Sequence, residues 1–258
     1  MSDDRRISVA DRFRLDGKRI LVTGAGRGLG AAAAEALAEA GGHIILMSRT
    51  KAELDALKTK IEASGGSAET LVGDVTDIAQ TARLIEGLGP IYGLVNNAGT
   101  NRPQSFIDVS VENFDLMQDL NVRACFFAAQ AVAKSMISHG VKGSIVNMSS
   151  QMGHVGAPDR SVYCATKHAI EGMTKAMAWD LGVHGIRANT VGPTFVETPL
   201  TRPFFENKAF AEDVLNRLAL GKLGELEDVA AAVLYLISPA SHSVTGTHLL
   251  VDGGWTAR

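Results

Sequence analysis

Cysteine is nearly absent from this chain, with two residues, Cys125 and Cys164, in 258. Neither they nor the seven scattered histidines show zinc-ligand spacing, so no metal is expected. Packing in a reducing, cytoplasmic compartment is the expected lot of both thiols. The excess of one charge sign is small, a net −3, and no basic stripe occurs, which argues against nucleic acid or an anionic membrane as partner. Long hydrophobic runs are missing too. "VAAAVLYLI", Val229 to Ile237, falls far short of the ~20 residues that span a bilayer. The first residues, "MSDDRRISVADRFRLDG", lack the apolar core of a secretory signal. Internal repeats and low-complexity linkers are absent, and the composition leaves no room for disorder beyond roughly the first dozen residues.

What is present is alternation. "RILVTG" (19–24) is a short apolar run stopped by glycine, as a buried parallel strand should be. An alanine-rich helix follows, from Gly28 to Ala40. "HIILMS" (43–48), "ETLVGDV" (69–75), "IYGLVNNAG" (91–99), "GSIVNMSS" (143–150), "IRANTV" (186–191) and "THLLVDGG" (247–254) read as further strands. Helices are predicted between them: 51–63, 77–88, 111–138 with Ser110 as its cap, 163–183, and 226–237 ending before Pro239. Pro193, Pro199 and Pro203 break the rhythm in a segment, 193–220, that is only weakly helical. Strands alternating with helices imply an α/β fold, a doubly wound, seven-stranded parallel sheet with helices on both faces. No linker divides it, so one domain over 15–258 is expected, with 1–14 as an N-terminal extension.

In such folds a ligand sits outside the carboxyl ends of the strands, where the winding reverses. There the first strand ends in "TGAGRGLG" (23–30), whose Gly24, Gly28 and Gly30 would let the chain turn tightly and a pyrophosphate approach the backbone. A strand-to-helix turn without ligand would use the same glycines.

Further along, "SVYCATKHA" (161–169) places Tyr163 and Lys167 one helical turn apart on one face. A phenol is ionised only about once in a thousand at pH 7. A nearby ammonium would favour the phenolate, so the pair could move a proton for a carbonyl accepting hydride or an alcohol losing it. Alone, Tyr-x-x-x-Lys is mostly chance.

Taken together, "TGAGRGLG", "GDV" (73–75), "NNAG" (96–99), Asn121, "SS" (149–150), "YCATK" (163–167) and "VDGG" (251–254) resemble the short-chain dehydrogenase/reductase family, from about Leu15 to Trp255. The resemblance implies a Rossmann-like dinucleotide-binding fold and catalysis by Asn121, Ser150, Tyr163 and Lys167. Ser150 would bond the substrate oxygen, and Asn121 would hold a water linking Lys167 to solvent, a role compatible with a polar residue at a helix kink. The cofactor would meet Gly24, Arg27, Gly28, Leu29, Gly30, Ser48, Arg49, Asp74, Val75, Asn97, Ala98, Gly99, Tyr163, Lys167, Pro193, Val196 and Thr198. Family members using NAD carry an acid where Ser48 stands. Here Arg49 follows, whose charge and bidentate geometry suit a 2′-phosphate, with Arg27 as a second cation, so NADP is expected over NAD. Both arginines could instead be solvated surface residues, and Asp74 a simple turn residue. One departure is Thr194, where the family has glycine after Pro193.

Arg102, Ser150, Met152, His154 and Phe195 are the candidate substrate residues, with Arg202, Phe204 and Phe205 further candidates; the two adjacent phenylalanines suit core packing better. The expected activity is interconversion of a secondary alcohol and a ketone, on a sugar, sugar acid or polyol. A 3-oxoacyl thioester or small ketone is the alternative substrate, and a non-catalytic dinucleotide-binding protein the alternative of another class. The resemblance also implies a homotetramer.

Overall fold

The structure, a computed structural model, describes residues 8–196 and 205–257. Seven strands form one parallel sheet in the order β3-β2-β1-β4-β5-β6-β7. They are β1 Arg19–Thr23, β2 His43–Ser48, β3 Ser67–Val72, β4 Gly93–Asn96, β5 Ser144–Met148, β6 Arg187–Pro193 and β7 His248–Val251. The helices are α1 Gly28–Glu39, α2 Lys51–Ala63, α3 Ile78–Glu86, α4 Val111–Gln118, α5 Cys125–Ser138, α6 Ser161–Gly182, α7 Lys208–Arg217 and α8 Leu226–Ile237.

Strand pleating sends alternate side chains to opposite faces, and both faces are covered. From β1, Ile20 and Val22 enter the core under α1 and α8, while Leu21 enters the core under α3 and α5. That double burial is why the strand reads in sequence as an unbroken apolar run. The strand order reverses between β1 and β4, so the loops after those strands and after β5 and β6 open side by side.

Several predicted strands are shorter in the structure, β4 and β7 among them, and two elements differ for reasons their contacts show. The third strand was placed at 69–75 and runs from Ser67 to Val72, because Ser67 pairs with His43 and their side chains bond at 2.7 Å. Its expected end is instead a turn, in which Asp74 Oδ1 accepts from Thr76 N at 2.9 Å and from the Thr76 hydroxyl at 2.7 Å. The single helix predicted over 111–138 is two helices joined by a π-helical segment, Asp119–Ala124. There Asn121 reaches out to the backbone of Thr100, accepting from its N–H at 2.8 Å and donating to its carbonyl at 2.9 Å. Such widened turns recur at functional sites. Ser110 caps α4 as expected, its hydroxyl accepting from Asn113 N at 3.2 Å.

Candidate active site

The loop after β1 is braced from across the sheet. The Thr23 hydroxyl accepts from the backbone N–H groups of Asn97 at 3.1 Å and Ala98 at 3.2 Å. In return the Asn97 amide donates to the carbonyls of Thr23 and Gly24, each at 3.1 Å. Gly24 and Gly28 adopt φ of +63° and +58°, a region that excludes most side chains. Gly30 is needed for closeness instead: a Cβ there would lie 2.3 Å from the Gly24 carbonyl oxygen. Helix α1 then starts with no side-chain cap and no acid in its first turn, so its free N–H groups face outward with the positive end of the helix dipole. A bare, glycine-lined cradle at a helix N-terminus fits a pyrophosphate. Leu29 is partly buried against the core, and Gly99 approaches Asn121.

Ser48 ends β2, and its hydroxyl accepts from Thr50 N at 3.3 Å. Arg49 and Arg27 are 78% and 75% exposed, with loose ion pairs to Asp74 at 3.7 Å and Glu53 at 4.0 Å. Both can therefore turn to an anion at little cost. Burial works to raise the Asp74 carboxyl, but bonds from Thr76 and the nearby Arg49 outweigh it and hold it below its ordinary value. Val75 is buried beside it.

The second half of the site lies along one face of α6. Lys167 is buried, and its ammonium donates to the Met148 carbonyl at 2.8 Å. Burial lowers it to about 8, against the opposing pull of Cys125 and Glu171. The Tyr163 phenol is pushed up to about 12 by burial, which outweighs a hydrogen bond with Ser150 and the field of Arg160. This corrects the expectation that Lys167 makes the phenol acidic. Its Nζ lies 5.5 Å from the ring centroid with a proton engaged by Met148, so desolvation wins. A neutral phenol of this kind is a proton donor at pH 7, suited to an oxygen that is gaining negative charge.

Ser150 caps the turn Gln151–Gly153: its hydroxyl accepts from Met152 N at 3.2 Å and lies 3.5 Å from the Pro193 carbonyl. Asn121 is buried, its amide also donating to the Thr166 hydroxyl at 3.2 Å. The structure thus brings Ser150, Tyr163 and Lys167 together at the ends of β5 and β6. Pro193 ends β6, and Val196 bridges to Gly224. Thr194 does without the family's glycine, because Asp159 is the sole non-glycine residue with positive φ among the described residues. Its buried hydroxyl has no hydrogen-bond partner among the described residues.

Arg102, Gln104, Val109, Met117, Asp159, Arg160, Val162 and Tyr163 border a narrow surface cleft. Met152 is buried behind Ser150. His154 is not part of that cleft. It packs against His248, ring centroids 3.9 Å apart and planes tilted by 54°, with Nε2 4.0 Å from the Glu171 carboxylate. Phe195 joins an aromatic cluster with Phe205, Phe210 and Trp255. Thr198, Arg202 and Phe204 lie outside the described residues.

Arg160 and Glu171 were missed. With Tyr163 and Lys167 they recur at three- and four-residue steps, so the polar stripe 160, 163, 167, 171 was visible in the helical period.

A family model described as enoyl-(acyl carrier protein) reductase matches residues 24–256. The chain is similar to the L-xylulose reductase of Mesocricetus auratus, 43% identical over 93% of this chain and 97% of that protein. It is similar to the gluconate 5-dehydrogenase of Gluconobacter oxydans (strain 621H), 39% identical over 97% and 99%. Among solved structures it resembles a gluconate 5-dehydrogenase from Burkholderia cenocepacia J2315 in complex with NADP and tartrate. The TM-score is 0.94 at 36% identity, covering 97% of this chain and all of that one.

Proposed function

Since this chain belongs to the short-chain dehydrogenase/reductase family, we propose that Ser150, Tyr163 and Lys167 are its catalytic set, acting on a sugar, sugar-acid or polyol carbonyl. The enzyme is an NADP-dependent oxidoreductase that interconverts a secondary alcohol and a ketone. "TGAGRGLG" and the N-terminus of α1 would hold the cofactor's pyrophosphate, and Arg27 and Arg49 would meet its 2′-phosphate. Asp74 and Val75 would flank the adenine, Asn97, Ala98 and Gly99 the ribose, and Pro193 and Val196 the nicotinamide. When bound, the reduced nicotinamide supplies the hydride.

This chain's residues do the rest. The Ser150 hydroxyl takes a hydrogen bond from Met152 N and donates only a long one, 3.5 Å, to the Pro193 carbonyl, so its proton can turn to the substrate oxygen and stabilise the growing charge. Tyr163 delivers its phenolic proton to that oxygen, and Lys167 would hold the nicotinamide ribose. Asn121 at the π turn keeps a water in reach of Lys167.

The observation that carries the reading is the grouping of Tyr163, hydrogen-bonded to Ser150, with the buried Lys167, whose Nζ lies 5.5 Å from its ring and is anchored on the Met148 carbonyl. The guanidiniums of Arg102 and Arg160 nearby suit hydroxyls and a carboxylate, and the polyol and sugar-acid enzymes among the chain's relatives support that substrate class. Turnover of ketoses, 2- and 5-ketogluconates, small ketones and a 3-oxoacyl thioester, each with both reduced nicotinamides, tests it. Polyhydroxylated ketones with NADPH are expected to lead by at least about tenfold, the worth of one bidentate contact. A thioester or an unsubstituted ketone in front would overturn the substrate reading, and a lead for NADH would overturn the roles of Arg27 and Arg49.

The fold carries apolar surface that a second copy would cover. Trp179 is 86% exposed and Val183 lies beside it at the end of α6; Ile107 is 87% exposed near Phe106 and Val111. We place these on the faces of a homotetramer, in the cytoplasm, where the free thiols of Cys125 and Cys164 stay reduced. None of the helices among the described residues is long and apolar enough to cross a membrane. Sedimentation at micromolar concentration is expected to give four chains, and a lone monomer would refute the assembly.

A further inference from the structure

Behind Ser150, three side chains with metal-ligating atoms converge from separate elements. One ring nitrogen of His154, after the turn Gln151–Gly153, one of His248 at the start of β7, and a carboxylate oxygen of Glu171 on α6 lie within 4.8 Å of one another. No other group of three does so among the described residues. Glu171 Oε1 is 2.8 Å from His248 Nδ1, and Glu171 Oε2 is 4.0 Å from His154 Nε2. Metal bonds of about 2.0–2.2 Å in a tetrahedron set neighbouring donors about 3.4 Å apart. The observed separations bracket that value, so small side-chain rotations would close the set on one ion.

Two of the three groups are buried with an atom unmet. The Glu171 side chain is 7% exposed, and its Oε1, although beside His248 Nδ1, has no aligned hydrogen-bond donor among the described residues. The His248 side chain is 9% exposed, and its Nε2 has no hydrogen-bond partner there either. Buried polar atoms of this kind call for an occupant. Two imidazoles and a carboxylate are the donor set of open, three-ligand zinc sites, whereas magnesium and calcium take oxygen cages. The outer contacts fit as well. The Thr190 hydroxyl donates to Glu171 Oε2 at 2.9 Å and lies 2.8 Å from His248 Nδ1, so it orients two of the donors at once. Gly192 makes room for the His248 ring, since a Cβ there would lie 2.6 Å from Nε2. The cations that bear on His154 from α6, His168 and Lys175, are exposed and screened by solvent.

We propose that His154, Glu171 and His248 form a binding site for one divalent transition-metal ion of the zinc type, with water completing its coordination. Protons on the two rings compete with the ion, and binding releases them. The ion ties the turn that follows Ser150 to α6 and β7, three segments that meet here through side chains alone. It stands apart from the cleft beside Tyr163, which His154 does not border.

Isothermal titration of the untagged, chelator-stripped full chain with zinc chloride tests the site. One equivalent is expected to bind, and the melting temperature to rise with it. Glu171→Gln and His154→Ala should each weaken binding by more than about tenfold, because losing a ligand costs at least as much as losing an outer-shell partner. The His154 side chain is 35% exposed, so His154→Ala carries the test if Glu171→Gln does not fold. Cobalt(II) reports the donor type: weak visible bands are expected from nitrogen and oxygen, and an intense near-ultraviolet thiolate band would place a cysteine there instead. That band, no stoichiometric binding at millimolar zinc, or an unchanged affinity in either folded variant overturns the proposal. Binding is read without turnover and without NADPH, so its failure is separable from a failure of the catalytic assignment, which Tyr163→Phe decides.

Discussion

Tyr163→Phe is expected to lower ketone reduction by about 10²- to 10⁴-fold, the range that a positioned proton donor contributes. The substitution removes one oxygen and keeps the ring. Ser150 retains its bond from Met152 N, and Lys167 retains Met148, so neither neighbour is left without a partner. Cofactor affinity, measured by NADPH fluorescence, and melting temperature should therefore stay close to those of the unaltered protein. A kcat near normal would strip Tyr163 of its role. The raised phenol makes a second demand on the same kinetics. With Tyr163 near 12 and Lys167 near 8, the acid form of the phenol and the charged lysine coexist below pH 8. Reduction should hold steady through neutrality and fall as Lys167 loses its proton, whereas alcohol oxidation, which needs the phenolate, should climb with pH over that interval.

Gly30→Ala is expected to cut NADPH affinity by about two orders of magnitude and to lower stability. The added Cβ would stand 2.3 Å from the Gly24 carbonyl and 2.5 Å from the Asn97 amide nitrogen. Neither can step aside: the first is backbone, and the second is tied to Thr23 and Gly24. Helix α1 must back away from the loop, at about 1–3 kcal/mol of overpacking and with its N–H groups carried off the phosphates. Gly26→Ala is the control, since its nearest obstacle is the end of the flexible Glu53 side chain. Isothermal titration with NADPH separates the two. Equal affinities in both variants would mean that this loop does not seat the cofactor.

Much of this was legible beforehand, for reasons particular residues show. β1 and β2 read as strands because burial on both sheet faces leaves no polar alternation to confuse them. Ser110 read as a cap because the contact it makes, to Asn113, is local in the chain. The π turn at 119–124 did not read, since the force that widens it is the distant backbone of Thr100. His154 looked like a pocket residue from its place after Ser150, yet its neighbours come from α6 and β7.

By itself the amino-acid order determined the alternation of strands and helices, the glycines that clear a path for phosphate, and the helical step that lines up Tyr163 with Lys167. Each of these is a short-range property, carried by backbone geometry and side-chain period. Tertiary structure alone decided the charges. Burial raised the phenol, lowered the amine, and joined Glu171 to Thr190 and His248 from remote stretches of chain. Solvation energy depends on everything packed around a group, and no local pattern records that.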